Sequence, residues 1–224
     1  MRRTLLALAL SLAFTSAYAH DDDSDNDVSK VNGSIHAEAN HVYGDLDTVN
    51  GGIDIEDGAS TGDVETVNGG IDVADNAKLG EISTVNGGIS LGKSVQVAGD
   101  VNAVNGGIRA GFHTRVGGEL SNVNGTILIQ QTEVTGQVST VNGDVTIGAE
   151  SVVHGGLLVE KPKGWGIHWG NDRKPRIVIG PNAVVEGELR FEREVELFVN
   201  ESAKVGKIVG ATAQSWRDTL PARP

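Results

Sequence analysis

Aliphatic residues along this chain come in short alternating runs. Ile53/Ile55, Ile71/Val73, Ile89/Leu91 and Ile127/Ile129 each flank one intervening residue, and a glycine stands within two residues before each run. Alternation of β-branched residues bounded by glycine predicts short strands with one side chain in and the next out. The runs are paced by the tripeptide Val-Asn-Gly, whose asparagine falls at Asn32, Asn50, Asn68, Asn86, Asn105, Asn124 and Asn142, with gaps of 18, 18, 18, 19, 19 and 18 residues. A constant period near twenty residues marks a solenoid in which each repeat is one coil. A second signature, glycine then a polar then an aliphatic residue, recurs as Gly44-Asp45-Leu46, Gly62-Asp63-Val64, Gly80-Glu81-Ile82, Gly99-Asp100-Val101, Gly118-Glu119-Leu120 and Gly136-Gln137-Val138. Each coil therefore holds about three short strands and tight corners, with too few residues for a helix. The prediction is an all-β fold, a single-stranded parallel β-helix of about nine coils with an 18–19-residue repeat. At the parallel-strand spacing it is a rod about 40 Å long. The right-handed preference of parallel crossovers makes a right-handed coil the expectation.

Asparagine and glycine tolerate the left-handed backbone region, so the Asn-Gly pair is expected to supply the sharp bend. Stacked coil on coil, the seven asparagines are expected to form an amide ladder. Asn-Gly also marks hairpins, but one dominant corner per 18 residues favours the parallel helix over a meander. The spacing outlasts the tripeptide. Val178 to Leu189 repeats Val145 to Leu157, and Leu197 to Ile208 repeats it again, keeping Gly187-Glu188-Leu189 and Gly206-Lys207-Ile208 without the asparagine. End coils of solenoids depart from the repeat because they cap an open edge, and Trp216 is a cap candidate.

Residues 1–19 read as a signal peptide: Arg2 and Arg3, an apolar run from Leu5 to Phe14, then Ala17-Tyr18-Ala19 before the cleavage point. The run is too short to span a membrane, and no later stretch approaches the required length. The expectation is an exported protein of the periplasm, cell surface or medium. Residues 20–30 form an acidic, solvated leader, 31–158 the Val-Asn-Gly helix, 159–176 a tryptophan-containing insertion, 177–210 the terminal coils, and 211–224 a tail or cap. Cysteine is absent, so no disulfide supports the fold. Losing residues 1–19 removes two of the 18 Lys+Arg and none of the 30 Asp+Glu, leaving a net charge of 16 − 30 = −14. Such a charge argues against nucleic acid or anionic lipid as partner. Aromatics make up only 4% of the chain, so the core must be built from Val, Ile, Leu and Ala, as a narrow coil requires.

Candidate chemistry gathers at two places. The polar residue of the second signature forms a file, Asp45, Asp63, Glu81, Asp100 and Glu119, ending at Gln137. Carboxylates about 5 Å apart repel by about 0.8 kcal/mol per pair even in water. Such a file either keeps the rod soluble or binds calcium weakly through oxygen ligands. The insertion, Glu160 to Arg176, carries Trp165, His168, Trp169 and Arg173 beside Lys161, Lys163, Lys174 and Arg176. A loop on a rigid scaffold is where recognition resides, and tryptophan beside polar groups suits sugar rings. The competing expectation is that this loop packs over the coils. His36, His41, His113 and His154 share no coil position, and no nucleophile or metal-protease motif occurs. No catalytic residue is assigned, and the chain is expected not to be an enzyme.

The V-N-G-[GSTD]-[IV] strands over residues 31–158 resemble bacterial adhesin-type β-strand-repeat families of unknown function. The coil length and V-I-G-P-N-A-V-V-E-G-E-L over about 141–209 resemble the bactofilins, β-helical scaffold proteins that polymerise. The first resemblance implies an adhesin-like or structural rod whose partner is an envelope polysaccharide or protein. The second implies self-association through terminal coils. Bactofilins typically lie in the cytoplasm or at the inner membrane, and the export signal departs from that. A glycan-binding or glycan-cleaving helix using Trp165 and Trp169 is the other expectation.

Overall fold

A computed structural model describes residues 26–162 and 173–220. They form a β-solenoid of about nine turns, with three parallel sheets as its walls. Each coil that carries the tripeptide enters the first sheet on a five-residue strand ending at its asparagine, as in Leu46–Asn50, Val64–Asn68 and Ile82–Asn86. It then turns into a three-residue strand of the second sheet, such as Ile53–Ile55, Ile71–Val73 and Ile89–Leu91. A two-residue strand of the third sheet, as in Lys78–Leu79 or Gln96–Val97, closes the coil. The first and second sheets have ten strands each and the third has seven, extended toward the N-terminus by the bridges Val42↔Ser60 and Ser60↔Lys78.

Register runs equivalent residue on equivalent residue: Asn50↔Asn68↔Asn86↔Asn105 in the first sheet and Ile71↔Ile89↔Ile108↔Ile127 in the second. Like therefore stacks on like, and the core is a set of columns. Leu46, Ile53, Ile71, Ile82, Ile89, Ile108, Leu120 and Ile127 are all fully buried along it. Among the described residues Tyr43 packs half-buried against the core, while the buried aromatics are Phe191 and Phe198, beyond the last asparagine corner. There the Arg176 guanidinium lies 4.6 Å from the Phe198 ring centre.

The left-handed bend is not where the tripeptide predicts it. Among the tripeptide residues only Gly33 and Gly125 have positive φ, at 110° and 139°. The left-handed column lies instead at the next corner, between the second and third sheets: Asn40, Gly58, Asn76, Ser94, His113, Gln131, Glu150 and Asn182, with φ between 44° and 69°. Its residue types are too mixed to read as a motif. The glycine after each asparagine has a different cause. A Cβ on Gly51, Gly69, Gly87 or Gly106 would land on the carbonyl of the glycine one coil below. Backbones touch at this corner, and only hydrogen fits.

Two boundaries also move. The first strand begins at Val28, inside the segment expected to be leader, and Ala213–Trp216 is the last strand of the second sheet rather than a tail. Register places Val178 opposite Thr146 and Ile177 opposite Val145, one residue off the alignment expected from the repeat. Residues 1–25, with the signal peptide and most of the leader, lie outside the described residues. Among the described residues no helix is long and apolar enough to cross a membrane.

Candidate functional site

The tripeptide corners build the first component of the site. Each asparagine from Asn50 to Asn142 donates its side-chain Nδ2 to Oδ1 of the asparagine one coil below, at 2.9–3.1 Å. The ladder has direction: donors point toward the N-terminal end and the last carbonyl, Asn142 Oδ1, points toward the C-terminal coils. Arg193 closes that end, its Nη1 donating to Asn142 Oδ1 at 2.7 Å and to Val141 O at 3.1 Å. Inside the same corner Thr48, Thr66 and Thr84 are buried. Each donates its hydroxyl to the carbonyl of a glycine one coil below (Gly33, Gly51 and Gly69) at 2.9–3.1 Å.

Above Asn142 the corner changes. The chain leaves the first sheet at Val159 and rejoins the second at Arg176, so sixteen residues replace the usual two. The returning arm brings Arg173 and Lys174 beside the ladder end. Arg173 Nη2 meets Asp144 Oδ2 at 2.7 Å, the Arg176 backbone N–H donates to Asp144 Oδ1 at 2.8 Å, and Lys174 Nζ pairs with Glu194 at 2.8 Å. Asp144, Arg173 and Lys174 line a cleft of about 430 Å³ with Asn124, Thr126, Asn142, Pro175 and Arg193. Of the four recognition residues expected from sequence, Arg173 stands in this cleft; Trp165, His168 and Trp169 lie outside the described residues. Asp144, at the variable position of the last Val-Asn-Gly motif, and Arg193, which belongs to no motif, are additional members.

The carboxylate file has a structural use that sequence did not reveal. Asp45 Oδ1 accepts the backbone N–H of Asp63 at 2.8 Å, Asp63 that of Glu81 at 2.7 Å, and Asp100 that of Glu119 at 2.7 Å. The glycine of each Gly-Asp pair leaves room for this. A Cβ on Gly62, Gly80 or Gly118 would strike the aspartate oxygen of the coil below. Glu81 is one methylene longer and instead accepts from Asn102 Nδ2 at 3.2 Å. Among the described residues no group of three His, Asp or Glu side chains is disposed to hold a metal ion. Asp63→Asn keeps the acceptor and removes repulsion, so thermal melting is expected to show stability unchanged or raised. Asp63→Ala leaves an amide without its acceptor and is expected to cost about 1 kcal/mol. Equal losses in both would show that charge, not the acceptor, matters here.

Burial together with neighbouring acids raises Asp47, Glu65 and Glu81 above the ordinary carboxylate range. The chief neighbours are Asp45 for Asp47, Asp47 for Glu65 and Asp100 for Glu81. On the third face His154 hydrogen-bonds Glu186 at 2.8 Å and Glu133 at 3.3 Å, which raises its imidazole above the usual range. Hydrogen bonds from His154 and Arg115 hold Glu133 below its own. Groups raised on folding give stability that is complete below their unfolded pKa and lost as pH rises through the folded one. Melting temperature is therefore expected to rise as pH is lowered from about 8 to about 5, with the histidine acting above about 6.5 and the carboxylates below it. His154→Gln should flatten the upper part of that profile and Glu65→Gln the lower. A profile that is flat in the parent protein would refute both assignments.

No protein-family model matches the chain, and neither curated proteins nor solved structures give a match. The resemblances to adhesin-type repeats and bactofilins thus rest on repeat grammar alone, and what is established for this chain is the fold: a parallel β-solenoid of about nine turns.

Proposed function

We propose that this protein is an exported, non-catalytic rod that serves a structural or adhesin-like role at the bacterial envelope or surface. The observation that carries this reading is where the repeated polar side chains are spent. The asparagines bond to one another, the threonines to glycine carbonyls, and Asp45, Asp63 and Asp100 to backbone amides of the next coil. Groups so engaged stiffen the stack rather than converge on a substrate. Cell fractionation with N-terminal sequencing tests it: the mature chain should begin at His20 and be found in the envelope or the medium. Recovery of the uncleaved chain in the cytoplasm would overturn the reading, as would release of sugar fragments from a polysaccharide panel by the purified protein.

A second reading, recognition of a glycan at the insertion, is favoured by one feature. The insertion springs from the corner that carries the asparagine ladder, beside a cleft lined by polar and charged groups. A glycan array is expected to give binding that disappears in Trp165→Ala/Trp169→Ala; signals equal in both forms would remove the tryptophans from recognition.

A further inference from the structure

The cleft at the carbonyl end of the ladder differs in charge from the rest of the rod. Residues 21–150 hold 21 acids against five cations (Lys30, Lys78, Lys93, Arg109 and Arg115), whereas 151–224 hold nine acids against eleven cations. Three of those cations, Arg173, Lys174 and Arg193, line one cleft of about 430 Å³, where Asp144 is the one carboxylate among the described lining residues and Glu194 pairs with Lys174 beside it. An anion approaching the body of the rod is repelled along most of its length and attracted here.

The two guanidiniums are already held in position. Arg193 uses Nη1 on Val141 O and Asn142 Oδ1, which fixes the plane of its fork while Nε and Nη2 remain as further donors. Arg173 is anchored through Nη2 to Asp144, and its side chain is 49% exposed. Planar forks oriented in advance match a carboxylate better than they match a point charge. Around them stand the hydroxyl of Thr126 and the amides of Asn124 and Asn142, each of which, beyond its ladder bonds, keeps a second N–H and a second carbonyl lone pair. Such groups suit hydroxyls flanking an anionic centre. Inorganic phosphate could meet the same cations but brings no ring hydroxyls for Asn124, Asn142 and Thr126.

We propose that this cleft binds a carboxylate-bearing sugar, a uronic-acid unit of a glycan, with Arg173 and Arg193 on the carboxylate and Asn124 and Thr126 on ring hydroxyls. This rests on the recognition reading above and gives it a ligand class and a charged contact point beside the insertion. A single unit with part of its neighbour fits a cavity of this size.

Isothermal titration of the mature protein with trigalacturonate, maltotriose and inorganic phosphate tests the proposal. Trigalacturonate should bind and weaken as salt is raised, while maltotriose and phosphate should bind at least tenfold more weakly. Arg173→Gln should reduce trigalacturonate affinity roughly tenfold or more. Arg173→Lys, which keeps the ion pair with Asp144 but loses the fork, should reduce it nearly as much and serves if the glutamine variant unfolds. Absence of trigalacturonate binding would overturn the proposal, as would equal binding of maltotriose or phosphate, or an Arg173→Lys variant of parent affinity. Binding that survives Arg173→Gln but vanishes in Trp165→Ala/Trp169→Ala would overturn this site while leaving glycan recognition by the insertion standing.

Discussion

Gly87→Ala is expected to destabilise the protein by about 3 kcal/mol, the upper range for forcing an added methyl into a filled site. The methyl would land on the carbonyl oxygen of Gly69, a backbone atom that cannot swing aside without moving a whole coil. In a chain of this size the loss corresponds to a fall in melting temperature of roughly 6–12 °C. Gly88→Ala is the matched control. Its methyl would come 3.2 Å from Gly107 O, a tight contact relieved by a small shift. The repeat itself tolerates side chains at that position, where Ser34, Thr126 and Asp144 stand in other coils, whereas the first glycine is glycine in all seven. Gly88→Ala should change stability by less than about 1 kcal/mol. Similar losses in the two variants would mean that the glycines are there for turn flexibility and not for backbone contact.

Ile108→Ala should cost about 2–5 kcal/mol through lost burial and the cavity left behind. Ile108 is fully buried and stacks in register between Ile89 and Ile127, near the middle of the rod. Each coil of a solenoid is supported mainly by its two neighbours, so a defect at the centre weakens the coupling between the halves as well as the total stability. Tryptophan occurs only at Trp165, Trp169 and Trp216, so fluorescence reports the C-terminal part of the chain while circular dichroism reports every strand. In urea the parent protein should give coincident transitions by the two probes. In Ile108→Ala the dichroism transition should begin at lower urea than the fluorescence transition. Coincident curves in the variant would show that the rod unfolds as one unit despite the cavity. Val31→Ala, at a position 55% exposed, should leave both curves in place.

Much of the fold was legible because its rule is local and repeated. Alternation at Ile53/Ile55 and its equivalents specifies which side chains face the core, since strand side chains alternate with period two. An 18-residue period brings Asn50 above Asn32 and Asn68 above Asn50, so an amide ladder follows once the coils are parallel. The candidate site was legible only in part. Arg173 belonged to an insertion visibly rich in cations, but Arg193 had no such mark. It lies 51 residues from Asn142 along the chain, in the corner between Phe191 and Glu196 two coils on, where no asparagine marks the position.

By itself the sequence determined a parallel solenoid, its coil length, its inward residues and the amide ladder, all consequences of a period that acts identically in every coil. Tertiary structure alone decided what depends on the distance between one coil and the next. It moved the left-handed bend to the corner of mixed residues from Asn40 to Asn182, and it showed the glycines after asparagine to be points of backbone contact. It turned Asp45, Asp63 and Asp100 from an exposed acidic file into acceptors for the coil above. It also assembled the cleft of Asp144, Arg173 and Arg193, whose members come from the corners of three successive coils. Periodic patterns announce themselves along a chain; contacts made where the period fails do not.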